Sequence, residues 1–128
     1  MIIPKKSLGQ NFLRDKNIVN KIINLLDIKN KTVVEIGPGL GILTEELINK
    51  KPKKLIIIEK DYILYELLSN KFINYKNISI INDDVFNYNF KKLKNAIIIS
   101  NLPYNISSRL IIKIIKLNKN IDEIICMI

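Results

Sequence analysis

The sequence predicts an α/β protein with a doubly wound, mostly parallel sheet, and three observations carry that expectation. Short, mainly apolar runs bounded by polar residues recur at 33–36, 55–58, 78–81 and 96–99. Continuous runs of this kind suit strands covered on both faces, where alternation is not required. Segments with apolar residues at helical spacing lie between them, joined by short connections, as in a parallel sheet with crossover helices. One strand-to-helix junction holds three glycines spaced two apart, Gly37, Gly39 and Gly41.

Each element follows in order. Lys5-Lys6-Ser7-Leu8-Gly9-Gln10-Asn11-Phe12-Leu13 is polar, basic and broken by glycine, and reads as an extended arm. Asp15 can cap a helix running to about Leu26, with Ile18, Ile22, Ile23 and Leu26 on one face. Thr32 to Ile36 is the first strand, and a helix follows the glycines to about Lys50. Pro52 ends that unit. Leu55 to Ile58 is the second strand, ending at Glu59-Lys60-Asp61. A helix from Tyr62 to about Phe72 is expected to turn Ile63, Leu64, Leu67 and Leu68 inward.

Ile78 to Ile81 is the third strand, and 85–93 is irregular or half-helical. Ala96 to Ile99 is the fourth strand, ending at Ser100-Asn101-Leu102-Pro103-Tyr104. Ser107 or Ser108 is expected to open a helix through Leu110, Ile111, Ile114 and Ile115. Ile121 to Ile128 begins a fifth strand, in which the chain stops. A domain ending within an apolar strand leaves an exposed edge, so the chain is expected to be incomplete and to lack the last sheet strands and any following domain.

The glycine junction, Val33-Val34-Glu35-Ile36-Gly37-Pro38-Gly39-Leu40-Gly41-Ile42-Leu43-Thr44, is the centre of the chain. Such a turn at the carboxyl end of a strand forms a concave surface beside a helix amino terminus. Glycine permits backbone dihedrals closed to other residues and lets a ligand approach closely. Ile42 occupies the third position of a dinucleotide fingerprint, and no Gly-Lys-Ser or Gly-Lys-Thr follows, so neither that fingerprint nor a P-loop is met. Glu35-x-Gly37-x-Gly39-x-Gly41 resembles the cofactor loop of S-adenosylmethionine-dependent methyltransferases. The plainer reading is a strand-to-helix turn without a ligand.

Composition narrows the chemistry. The chain of 128 residues suffices for one domain with a real core, and contains no histidine and one cysteine. That excludes Ser-His-Asp and Cys-His catalysis, histidine-ligated metals, an internal disulfide and a thiolate zinc site, so no metal is expected. Cys126 reads as a small residue in an apolar strand. A net charge of +9 fits a polyanionic partner, although abundant Lys, Asn and Ile also fit a biased composition. Met1-Ile2-Ile3-Pro4-Lys5-Lys6 has no apolar signal region, and no apolar run is long enough for a membrane span. A cytoplasmic protein with no membrane partner is expected.

The polar residues converge. In a doubly wound sheet the carboxyl ends of the strands share one rim. The second strand there ends in Glu59, placed where a ribose hydroxyl pair is usually held, since two carboxylate oxygens can accept both hydrogens. Asp84, after the third strand, can accept from an adenine amino group or simply cap a turn. In Asn101-Leu102-Pro103-Tyr104, the Asn101 amide oxygen can accept from an exocyclic amine. Pro103 biases Leu102 toward extended backbone, so the Leu102 carbonyl can face the same amine. Tyr104 offers a face for stacking a base. A plain turn is the reading without function.

These segments resemble the ribosomal RNA adenine N6,N6-dimethyltransferase family, in particular its small-subunit type. The matching residues are Ser7-Leu8-Gly9-Gln10-Asn11-Phe12-Leu13, Glu35 to Gly41, Ile58-Glu59-Lys60-Asp61, Asp83-Asp84 and Asn101-Leu102-Pro103-Tyr104-Asn105-Ile106-Ser107-Ser108. They occur in family order across essentially the whole chain. The resemblance implies a Rossmann-like S-adenosylmethionine-dependent methyltransferase fold. It implies that Asn11, Leu13, Gly37, Gly39, Glu59, Asp84 and Asn101 line the S-adenosylmethionine site. It further implies that Asn101, Leu102, Pro103 and Tyr104 hold the target adenine of ribosomal RNA, in the small subunit or its precursor, in a monomeric enzyme.

Two features depart from the family pattern. Arg109 stands where proline is usual, and the family's remaining strands and helical carboxyl-terminal domain are absent. Three other readings stay open. They are a large-subunit adenine methyltransferase of the antibiotic-resistance type, a non-catalytic RNA-binding relative and, from the glycine loop alone, an NAD-linked oxidoreductase.

Overall fold

The computed structural model describes residues 16–126. The elements are α1 (Lys16–Asn24), β1 (Thr32–Ile36), α2 (Ile42–Asn49), β2 (Lys54–Glu59), α3 (Tyr62–Lys71), β3 (Ile78–Asn82), β4 (Ala96–Ser100), α4 (Tyr104–Leu117) and β5 (Ile121–Cys126). Two short 3₁₀ turns, Val85–Asn87 and Phe90–Lys92, fill the irregular stretch before β4. Asp15, the expected cap of α1, lies outside the described residues, as do Met127 and Ile128.

All five strands form one parallel sheet in the order β3-β2-β1-β4-β5. The first strand therefore sits in the middle. The chain steps outward to β3, returns past β1 to β4, and so leaves a topological switch point between β1 and β4. Open α/β sheets bind ligands at the carboxyl ends of strands beside such a point. Thr32 to Ile36 is flanked by Lys54 to Ile58 on one side and Ala96 to Ser100 on the other. Backbone donors and acceptors of β1 are thus satisfied in the interior.

Side chains of the central strands alternate between two cores. Val33, Leu55, Ile57, Ile97 and Ile99 meet Ile23 of α1 and Leu43 and Leu47 of α2. Val34, Ile36, Ile56, Ile58 and Ile98 meet Phe90, Leu93 and, from α4, Leu110 and Ile114. Burial on both faces explains why the strands read as continuous apolar runs.

Two expectations are corrected. In α3 only Leu68 is buried; Leu64 is half-buried, while Ile63 is 65% and Leu67 41% exposed. This helix covers the edge strand β3, whose own residues Ile78 to Ile81 are half-buried. Less apolar surface lies beneath it than a central helix would find. Asp61 starts it, accepting from the backbone N–H groups of Ile63 at 2.8 Å and Leu64 at 3.1 Å.

The second correction concerns α4, which opens at Tyr104 rather than Ser107 or Ser108. The Pro103 carbonyl already accepts from the N–H groups of Ile106 and Ser107, both at 3.0 Å. Pro103 needs no donor of its own and stands just outside the helix at φ −54° and ψ 147°. Ser107 is buried instead, and its hydroxyl donates to the Leu102 carbonyl at 3.2 Å.

Candidate functional site

The three glycines of the loop after β1 all have left-handed backbone, with φ of 71° at Gly37, 58° at Gly39 and 89° at Gly41. They serve three purposes. A Cβ on Gly37 would lie 2.7 Å from the backbone oxygen of Asn101, so this glycine lets the ends of β1 and β4 close together. A Cβ on Gly41 would press on Leu68 at 3.0 Å and Phe72 at 3.3 Å, so this one lets α3 close on α2. Nothing lies within 4 Å of a Cβ on Gly39, which faces open space. Gly37 and Gly39 are both half-buried, whereas Gly41 is buried.

The loop is braced from below by Glu35. This residue is buried between Ile57 and Ile99 of the neighbouring strands. The Thr44 hydroxyl donates to its Oε1 at 2.5 Å, tying β1 to the first turn of α2. Its Oε2 has no partner among the described residues. Burial pushes the carboxyl up to about 7; the Thr44 bond opposes the rise and the charge of Glu59 adds to it. A proton on Glu35 at neutral pH relieves the cost of an unpaired buried charge. Sequence analysis placed Glu35 only as the leading acid of the loop motif. The available signal was a carboxylate inside an otherwise apolar strand, with a hydroxyl nine residues on.

Glu59 ends β2 at the rim, 8% exposed. Its Oε2 accepts the backbone N–H of Asp61 at 2.8 Å. Burial raises its carboxyl above the ordinary value, while backbone donors hold it down. Asp84 caps the first 3₁₀ turn, its Oδ1 accepting from the Phe86 N–H at 2.9 Å. Lys60 Nζ stands 3.5 Å from its Oδ2. That backbone bond, reinforced by Lys60 and Lys113, holds the Asp84 carboxyl below its ordinary value. One oxygen of Asp84 thus bonds its own turn, and the other faces Lys60 with lone-pair capacity to spare.

The end of β4 crosses the switch point. The Asn101 N–H donates to the Ile36 carbonyl at 2.9 Å, continuing the sheet into the motif. Asn101 and Leu102 are half-buried, and Tyr104 is 66% exposed. No hydrogen bond holds the Asn101 side chain among the described residues. The Leu102 carbonyl has one lone pair engaged by Ser107 and a second still available.

A cleft of about 230 Å³ opens along this rim. Gly37, Glu59, Asp84 and Leu102 line it, joined by Val85 and Arg109. The structure therefore brings four of the expected residues to one cavity. Gly39, Asn101, Pro103 and Tyr104 are not in its wall. Asn101 is bound to it through backbone contact with Gly37. Asn11 and Leu13 lie outside the described residues. Arg109, six residues into α4, extends over the Phe86 ring at 5.2 Å. The carboxylates of Glu59 and Asp84 and the Leu102 carbonyl give the cleft acceptors for a ligand that carries hydroxyl or amine donors.

The profile of the family described as "Ribosomal RNA adenine dimethylase" matches residues 3–128. A protein of Hydrogenobaculum sp. named "Ribosomal RNA small subunit methyltransferase A" is 45% identical over 100% of this chain and 50% of its own length. Among solved structures, a dimethyladenosine transferase from Plasmodium falciparum superimposes with a TM-score of 0.73 at 32% identity, over 84% of this chain and 39% of that one. A 23S rRNA methyltransferase, ErmE, superimposes with a TM-score of 0.71 at 26% identity, over 91% of this chain and 48% of that one. The chain spans about half the length of the curated relatives it matches.

Proposed function

The chain belongs to the ribosomal RNA adenine dimethylase family, and from that premise we propose that it carries the catalytic domain of an enzyme that methylates N6 of adenines in small-subunit ribosomal RNA, giving N6,N6-dimethyladenosine. The observation that carries the proposal is the meeting of Gly37, Glu59, Asp84 and Leu102 on one cleft, with Asn101 packed on Gly37. The sheet is Rossmann-like, as in the methyltransferases it superimposes on.

S-adenosylmethionine, when bound, supplies a methyl group activated on a cationic sulfonium. The site suits it: Gly39 leaves backbone uncovered, and the buried Glu59 is an acceptor for a ribose diol. Asp84 offers its second oxygen to an adenine amine. Asn11 and Leu13 complete this assignment from the arm, on the strength of the resemblance.

At the other end, the Asn101 side-chain oxygen and the Leu102 carbonyl accept the two N6 hydrogens of the target base. These bonds favour a pyramidal nitrogen whose lone pair is free to attack. Tyr104 stacks the base, and Pro103 holds the two acceptors in register. The base must leave its stack to enter. Positioning supplies most of the rate, with electrostatic help as charge moves onto nitrogen. The proton leaves to water, so no histidine is required. The enzyme works as a monomer in the cytoplasm, where its ribosomal substrate is; no helix among the described residues is long and apolar enough to cross a membrane.

Transfer of labelled methyl groups to purified ribosomal subunits tests the proposal. Small-subunit labelling is expected. Labelling of the large subunit alone would favour the ErmE-like reading, which the lower identity of that structure argues against. Asn101→Ala is expected to cut transfer by about 10²-fold or more and to leave S-adenosylhomocysteine binding within a few-fold. Undiminished turnover in that variant would sink the assignment of Asn101.

A further inference from the structure

Three cations surround Asp84 and Phe86, and their situations differ. Lys60 faces the Asp84 carboxylate at 3.5 Å. Lys113 donates to the Phe86 carbonyl, with its Nζ 5.7 Å from the ring. Arg109 lines the cleft, is exposed, and lies over the Phe86 ring at 5.2 Å. Among the described residues its side chain has neither an ion-pair partner nor a hydrogen bond.

An arginine resting on an aromatic ring is pre-oriented, and the donors at its edge stay free. Five N–H groups in a planar fork match the oxygens of a phosphate better than an ammonium does. The ring is itself anchored: Asp84 accepts the Phe86 N–H, and Lys113 holds the Phe86 carbonyl. α4 carries no acidic residue, so nothing on its own helix neutralises Arg109. Of the acids that line the cleft, Asp84 is engaged by Lys60, Asp83 accepts from the Asp84 N–H and the Asn87 side chain, and Glu59 accepts from the Asp61 N–H. Arg109 lies five residues beyond Tyr104, roughly 7.5 Å along the helix axis.

We propose that Arg109 binds a backbone phosphate of the RNA beside the target adenine, with Phe86 as the platform that orients it. The inference rests on the function proposed above. It makes Arg109 a positioning residue for the substrate, held on the ring next to Asp84.

The test uses the chain with a short single-stranded RNA containing adenine, titrated over a series of salt concentrations. Wild type, Arg109→Gln, Arg109→Lys and Lys116→Gln are compared, and S-adenosylhomocysteine affinity is measured in parallel. Loss of one phosphate contact on single-stranded RNA should flatten the plot of log K against log salt by about 0.7. Arg109→Gln is expected to show that change with a roughly three- to tenfold loss of RNA affinity. Arg109→Lys should keep the slope and lose part of the affinity. Lys116→Gln, in the exposed last turn of the same helix, should change little, and in both Arg109 variants S-adenosylhomocysteine binding should change less than RNA binding.

An unchanged slope in Arg109→Gln, or an equal change in Lys116→Gln, would overturn the assignment while leaving the proposed function standing. A wild-type chain that binds S-adenosylhomocysteine and no RNA would overturn it as well. Wild type that binds neither would overturn the proposed function and this inference with it.

Discussion

The two ends of the cleft are built differently. At one end each carboxylate accepts a backbone N–H two residues further on, Glu59 from Asp61 and Asp84 from Phe86. Those bonds fix the acids before any ligand arrives. At the other end the side chain of Asn101 has no hydrogen bond among the described residues, and Tyr104 is 66% exposed. Holding a free side chain still costs up to about 2 kcal/mol. The fold therefore prepares one end in advance and leaves the other for its ligand to order. A nucleoside should find the acidic end nearly ready, whereas a base must bring its own bonds.

The largest way to break this contrast is to separate the ends. Gly37→Ala sets a methyl group 2.7 Å from the Asn101 carbonyl oxygen at a left-handed φ of 71°. The clash and the backbone strain together should cost roughly 3 kcal/mol or more, and both ends should lose their ligands. Gly39→Ala meets no neighbour within 4 Å, so it should cost only about 1–2 kcal/mol. Denaturant unfolding of the two variants separates close approach from backbone conformation.

Glu35 gives the next largest effect, through pH. Its ordinary value is 4.5 and burial raises it to about 7. Below the ordinary value the folded and unfolded chains both hold the proton. As pH rises from there to about 7 the unfolded chain releases it first, so the folded state loses stability, on the order of 3 kcal/mol in all. Glu59 is raised in the same direction, so the comparison of wild type with Glu35→Gln isolates the Glu35 share. Gln keeps an oxygen for Thr44, and its stability should stay flatter across this window. Parallel curves for the two proteins would show that Glu35 does not hold the proton.

The smallest change sharpens the contrast. Glu59→Gln keeps the bond to Asp61 and removes the charge, and S-adenosylhomocysteine binding should weaken about tenfold. RNA binding should not change. A loss of RNA binding equal to the loss of ligand would show that the two ends are not independent.

Much of the fold was legible before the structure. β1, β2, β3 and β4 lie within a residue of their expected bounds because strands of a parallel sheet read as short, mainly apolar runs between polar residues. Gly37, Glu59, Asp84 and Leu102 were legible as one site because parallel strands with short crossovers put their carboxyl ends on one rim. The reading failed where the environment overrode a local pattern. Ile63 and Leu67 have helical spacing, yet α3 covers a sheet edge and leaves them exposed. Ser107 is a good capping residue type, yet the Pro103 carbonyl had already taken the first helical bonds.

The sequence by itself determined the α/β class, the strands, the glycine loop and the order in which the polar groups reach the rim. Each of these depends on residues close in the chain, where periodicity and turn chemistry act. The tertiary structure alone decided that β1 lies between β2 and β4, which sets Gly37 against Asn101. It alone set Thr44 on Glu35 and Arg109 on Phe86. Such pairings follow from how the elements pack, which periodicity and turn chemistry do not specify.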